Sequence, residues 1–179
     1  MLPHPFPTKL ETERLTFRLP EPRDADAIFH AWCQDPAVSR FMVWVPHETV
    51  EVTQQFIASC IAAAESGAAV PYVLSSKGSG HVVGMIEARL SECRVNIGYV
   101  LARASWGQGL MPEAIRALAK VALSGPFFRV EATCDVENLP SARALEKSGF
   151  LKEGHLARYM IHPNLSPEPR DSWLYATHR

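Results

Sequence analysis

Apolar and polar positions along this chain alternate between two periods, and the periods divide it into elements. Residues 15–19 (Leu-Thr-Phe-Arg-Leu) alternate as a half-buried strand does. After Pro20 and Pro22, Asp24 is placed to cap a helix carrying Ala25, Ile28, Phe29 and Trp32 on one side. That helix should stop near Asp35-Pro36, because the residue before a proline disfavours helical ψ. A second helix is expected over residues 49–66, its stripe formed by Val52, Phe56, Cys60 and Ala63 and widened by Ile57 and Ala64; Gly67 ends it. Strand-like runs at 71–75, 81–90 and 94–102 are separated by Gly78-Ser79-Gly80 and Ser91-Glu92, which predicts an antiparallel meander. A loop at 103–108 leads into a helix over 109–123 with Leu110, Ala114, Leu118 and Val121 on its apolar face. The remainder reads as a strand at 127–134, a short helix at 141–148 and strands at 154–161 and 172–177. The order β-α-α-β-β-β-α-β-α-β-β predicts an α/β (mixed α+β) fold: one mixed, mostly antiparallel sheet of about seven strands flanked by helices.

Composition narrows the classes. With 179 residues, 47% hydrophobic and 21% charged, the chain suits a single domain over 1–179, residues 1–9 being an extended lead-in. A net charge of -1 lacks the basic excess of a dedicated nucleic-acid binder. No apolar run approaches the ~18 residues of a bilayer span. The opening Met-Leu-Pro-His-Pro-Phe-Pro has neither basic nor apolar signal regions, so no membrane partner and a cytoplasmic location are expected. Cys33, Cys60, Cys93 and Cys134 are widely spaced with no CxxC pair, which argues for free thiols and no metal.

Two stretches carry chemistry. Trp106-Gly107-Gln108-Gly109-Leu110-Met111 opens a helix directly after a strand. Glycines permit a tight turn and close approach of a ligand, and first-turn N–H groups lack internal partners, so the loop suits a phosphate. The same glycines would equally serve a plain strand-to-helix turn. Pro112 stands where the dinucleotide fingerprint needs a third glycine, and no GxxxxGK[ST] occurs. In the second stretch, Asn138 can cap a helix with Pro140 in its first turn and Lys147 in its last. Gly149 supplies a left-handed residue there and lets Phe150 fold back on Leu145.

Together, Trp106-Gly107-Gln108-Gly109 with Glu113-Ala114, and Asn138-x-x-Ser141 with Glu146-Lys147-x-Gly149-Phe150, resemble the GNAT superfamily of acyl-CoA-dependent N-acetyltransferases. The stretch from Leu10 to Arg18 (LETERLTFR) and Glu153 to Arg158 (EGHLAR) are similar to its RimJ/RimL-type branch, which acts on ribosomal-protein N-termini. The resemblance implies acetyl-CoA as co-substrate and a primary amine as acceptor: a protein N-terminus, a polyamine or another small amine. It implies that the backbone of Gly107, Gln108, Gly109, Leu110 and Met111 holds the cofactor pyrophosphate, Pro112 having no N–H to give. Trp106 stands where the wider family has Gln or Arg, and Met111 where it has Gly or Ala; the larger Met111 would tighten the phosphate pocket. Tyr99, Val100 and Leu101 match the strand that pairs with the pantetheine arm, where a bulge splays it from the next strand and frees N–H groups to polarise the thioester carbonyl. Asn138 matches a pantetheine contact, and Ser141 would lie near the sulfur. The family's usual acid, a Tyr, is Leu145 here, which leaves Ser141 as the proton donor. Thr133 replaces a Glu that serves some relatives as base. Glu87 is then the leading base, with His155 and Tyr159 as others. The alternative is a binding module that holds acyl-CoA without turnover. The acceptor groove would involve the first two helices, residues 41–45 with Trp44, and the proline-rich loop 163–169. The chain would be a monomer or homodimer.

Overall fold

The computed structural model describes residues 5–179, so the first four positions of the expected lead-in, and of the start read as lacking a signal, lie outside the described residues. Eight strands form one sheet in the order β1-β2-β3-β4-β5-β6-β8-β7. They are β1 (Lys9–Glu11), β2 (Leu15–Arg18), β3 (Ala69–Ser76), β4 (Val82–Leu90), β5 (Arg94–Leu101), β6 (Arg129–Asp135), β7 (Leu151–Met160) and β8 (Arg170–His178). The expected count of about seven omitted β1, whose three residues are too few to show alternation. Every neighbouring pair is antiparallel except β5 and β6.

Helices cover both faces. On one, α4 (Leu110–Ser124) and α5 (Leu139–Lys147) bury Leu110, Ala114, Leu118 and Leu145 against Ile86, Ile97 and Val130 of the sheet. On the other, α1 (Asp24–Ile28), α2 (Pro36–Ser39) and α3 (Val50–Ser66) enclose a second core with Trp32, Ile57, Val73 and Met85. Strand alternation explains the division, since Ile86 and Met85 are neighbours in sequence and point to opposite faces.

Local departures from expectation have local causes. Asp24 does not cap α1; the cap position is Arg23, and the buried Asp24 carboxylate accepts from Arg18 and from the Glu21 N–H. The first helix continues as a π-helical turn over Phe29–Cys33 and stops at Gln34, after which Asp35 caps α2 by accepting from Ala37 N–H at 2.8 Å. In α3 the inward line is Thr53, Ile57 and Cys60 while Val52 is exposed. The Thr53 hydroxyl can be buried because it pairs with His47 Nδ1 at 2.7 Å. Gly67 ends α3 at φ 73°, and α5 closes with Gly149 N–H on Glu146 O and Phe150 N–H on Leu145 O, a Schellman pair.

Candidate functional site

β5 and β6 pair only through residues 94–96 and 129–131 and then part. The parting owes nothing to β4, whose register with β5 is unbroken from Leu90↔Val95 to Gly84↔Leu101, so the expected bulge is absent from that pairing. Ala102 N–H donates to Val83 O. Alternation therefore turns the N–H groups of Val100 and Gly98 toward β4, and those of Leu101 and Tyr99 into the gap. At the gap's mouth the Trp106 indole N–H donates to Leu101 O at 2.8 Å. Val100 gives the gap no backbone group, and its side chain packs toward α1 and α3.

Both helices that follow the parted strands begin at the same open end. α4 starts from Gly109 (φ 74°), two residues after Gly107 (φ 75°), conformations that favour glycine. Trp106 N–H bonds Arg103 O and Glu113 N–H bonds Gly109 O. Between them the N–H groups of Gly107, Gln108, Gly109, Leu110 and Met111 bond nothing among the described residues. Five adjacent free donors at a helix N-terminus form a cradle for an anion. Leu110 and Met111 bury their side chains in the core, so Met111 does not tighten the loop; helical geometry leaves only its backbone there.

α5 starts from Asn138, whose Oδ1 accepts from Ser141 N–H at 3.2 Å, leaving its amide nitrogen without a partner among the described residues. Ser141 Oγ lies 2.8 Å from Tyr99 Oη. Cys134, the next side chain on that face of β6, interacts with the same hydroxyl; burial pushes its thiol up to about 11 despite that contact. Burial also pushes the Tyr99 phenol above its ordinary value, outweighing the Ser141 hydrogen bond.

Glu87 stands on the other face, opposite Gly98 of β5 and Pro71 of β3. It is half-buried and has no hydrogen bond or ion pair among the described residues. Ser141 and Glu87 thus flank the sheet from opposite sides rather than meeting. His155 and Tyr159 belong to the edge strand β7; His155 pairs with Asp171 at 2.9 Å and Tyr159 is exposed, which removes both from the gap. Among the described residues, no group of three or more His, Cys, Asp or Glu could hold a metal. None of their helices is long and apolar enough to cross a membrane.

A polar cluster that no sequence motif signals lies at the end of β6. The buried Asp135 carboxylate takes Arg170 Nε at 2.6 Å and the Glu137 N–H at 2.9 Å. Burial alone would raise this carboxyl, but Arg170 and the Glu137 N–H hold it below the usual range. His162 is buried with Nε2 3.9 Å from Asp135 Oδ2, and neither ring nitrogen has a hydrogen-bond partner among the described residues. Two residues on, Asn164 Nδ2 donates to Ser39 O at 2.7 Å and Trp44 O at 2.8 Å, tying the β7–β8 loop to the chain between α2 and α3. No local motif signals partners so far apart in sequence.

Known proteins are similar in sequence and in fold. The acetyltransferase (GNAT) domain matches residues 14–151. The uncharacterised N-acetyltransferase p20 of Bacillus licheniformis is 32% identical over 154 residues, covering 84% of this chain and 86% of that protein. Among solved structures, the microcin C7 self-immunity acetyltransferase MccE in complex with acetyl-CoA and AMP superposes with a TM-score of 0.86 at 21% identity, over 97% of this chain and 98% of its own. RimL, a ribosomal L7/L12 α-N-protein acetyltransferase in complex with coenzyme A, gives 0.82 at 22% identity over 96% of each chain.

Proposed function

The chain belongs to the GNAT acetyltransferase family, and from that premise we propose that its single domain transfers the acetyl group of acetyl-CoA directly to a primary amine, a protein N-terminal α-amine or a small-molecule amine. The observation that carries this reading is the parting of β5 from β6, with the free N–H cradle of α4 and the Tyr99–Ser141 pair at the same open end. The N–H groups of residues 107–111 suit a diphosphate, and Gly107 and Gly109 keep the approach clear of side chains. A pantetheine arm can replace the missing β6 pairing along Tyr99 and Leu101, while the Asn138 amide nitrogen offers it a further donor.

The reaction forms a C–N bond at the thioester carbonyl and breaks its C–S bond. An N–H aimed into the gap polarises the carbonyl. Glu87 takes the amine's proton from the opposite face, since only a neutral amine attacks. Ser141 returns a proton to the departing sulfur. In exchange the Ser141 oxygen takes the second proton of the attacking nitrogen, and Tyr99, whose raised phenol stays protonated at neutral pH, holds it in place. Leu145, at the position of the family's usual Tyr, is buried in the core, which leaves the hydroxyl role to Ser141. The acceptor enters on the Glu87 face, bordered by residues 39–45 and the loop that Asn164 fixes to them.

A thermal melt with acetyl-CoA, with ATP as comparator, tests the reading. At 100 times the dissociation constant the ligand adds ~2.7 kcal/mol, a rise of roughly 5–10 °C for a domain of this size. A rise with acetyl-CoA and none with ATP is expected; no rise at millimolar acetyl-CoA overturns it.

A further inference from the structure

Arg14 lies in the turn between β1 and β2, yet it reaches the start of α4. Its Nε donates to Glu113 Oε2 at 2.7 Å, its backbone N–H to Glu113 Oε1 at 2.9 Å, and its Nη1 to Gln108 O at 2.8 Å. Its own carbonyl accepts from Lys77 N–H at 2.8 Å, and Thr12 closes the turn with Leu15, so the residue is held from several sides. Nη2 has no hydrogen bond among the described residues and points at Gly109, 3.6 Å from where a Cβ there would stand.

Glu113 makes this arrangement consequential. A carboxylate in the first turn of α4 suits the helix dipole but would repel an anion seated on the same N–H groups. Burial tends to raise the Glu113 carboxyl; Thr12 and Arg14 outweigh that and keep it ionised. Arg14 cancels this charge, fixes the carbonyl of Gln108 in the middle of the loop, and leaves the two hydrogens of Nη2 unpaired beside Gly109.

We infer that Arg14 is a cofactor-binding residue: its Nη2 contacts the diphosphate of acetyl-CoA, while Nε and Nη1 set the loop that receives it. The inference rests on the reading that the loop holds acetyl-CoA. A planar fork can brace a carboxylate and a carbonyl with two nitrogens and keep the third for a phosphate oxygen, which a lysine cannot do.

The test compares acetyl-CoA with S-acetylpantetheine, a donor without diphosphate or nucleotide, in wild type, Arg14→Gln, Arg14→Lys and Glu113→Gln. Arg14→Gln is expected to raise KM for acetyl-CoA roughly 10- to 100-fold, the loss of a charge-assisted contact. Its kcat should stay within about twofold, with S-acetylpantetheine kinetics unchanged. Arg14→Lys should recover only part of the loss. Glu113→Gln keeps the positive charge but loses one of the two hydrogen bonds that hold it, and should raise KM for acetyl-CoA much less than Arg14→Gln does. Equal losses with both donors, or a Glu113→Gln defect as large as that of Arg14→Gln, would show a structural brace alone and overturn the inference. A wild type that uses both donors equally well overturns the parent reading of the loop instead.

Discussion

Tyr99 Oη and Ser141 Oγ lie 2.8 Å apart across the gap between β5 and α5, joining the strand that leaves the sheet pairing to the helix that begins beside it. The pair places a protonated phenol behind a hydroxyl. Substituting Ser141→Ala should lower kcat on the order of 10²-fold while leaving acetyl-CoA affinity within about threefold. Tyr99→Phe should lose less, because Ser141 remains. Steady-state rates together with a binding isotherm check both.

Glu87 has no hydrogen bond or ion pair among the described residues, and in the proposed reaction its face receives the acceptor. Glu87→Gln should reduce kcat/KM at neutral pH by about 10²-fold. The deficit should shrink as pH rises past the α-amine pKa of ~7.7–8.0, where the acceptor is already neutral. A pH–rate profile of both proteins reads this; parallel profiles would remove Glu87 as base.

Several turns and helix ends were legible in the sequence because their chemistry is local. Gly67 at φ 73°, the Asn138 cap and the Gly149-Phe150 closure each depend on residues within one turn. The glycine loop was legible for the same reason. The gap itself was not, since it depends on where the pairing of β5 and β6 stops, and the run of residues in β5 carries no mark at Ile97. Arg14 with Glu113, and Asp135 with Arg170, join residues 99 and 35 positions apart, and nothing in either neighbourhood announces the partner. Glu87 could be named from its residue type, but only the sheet placed it opposite Ser141.

Asp135 anchors the end of β6 through Arg170. Because its folded-state pKa is held below the usual value, its contribution to stability is full above about pH 4, the unfolded carboxyl value. That contribution is lost as pH falls through the lower folded-state value. Asp135→Asn should destabilise toward the low end of about 3–5 kcal/mol at neutral pH, since Arg170 is partly exposed. The difference from wild type should narrow in strong acid. Urea unfolding at pH 7 and pH 3 measures it.

Asn164 holds the carbonyls of Ser39 and Trp44. Asn164→Ala should loosen the acceptor border and raise KM for the amine several-fold, each lost hydrogen bond being about 1 kcal/mol. KM for acetyl-CoA should not change. Crossed saturation curves separate the two constants, and an equal rise in both would place the loop outside the acceptor site.

Gly109 opens α4 in the left-handed region. Gly109→Ala should cost about 1–2 kcal/mol through the left-handed φ alone, since its Cβ would meet Arg14 Nη2 only at ordinary van der Waals distance, and it puts a methyl group beside the cradle. The melting temperature would fall and KM for acetyl-CoA would rise together.

Acetyl transfer from acetyl-CoA to an amine is measured directly as thiol release. Wild-type protein, saturating acetyl-CoA and a panel of peptides with free N-termini, polyamines and other small amines would be followed for free coenzyme A. Release should depend on an amine, saturate with it, and drop on the order of 10²-fold in Ser141→Ala. Thiol release that no amine accelerates, in protein that still binds acetyl-CoA, would contradict the proposed transfer.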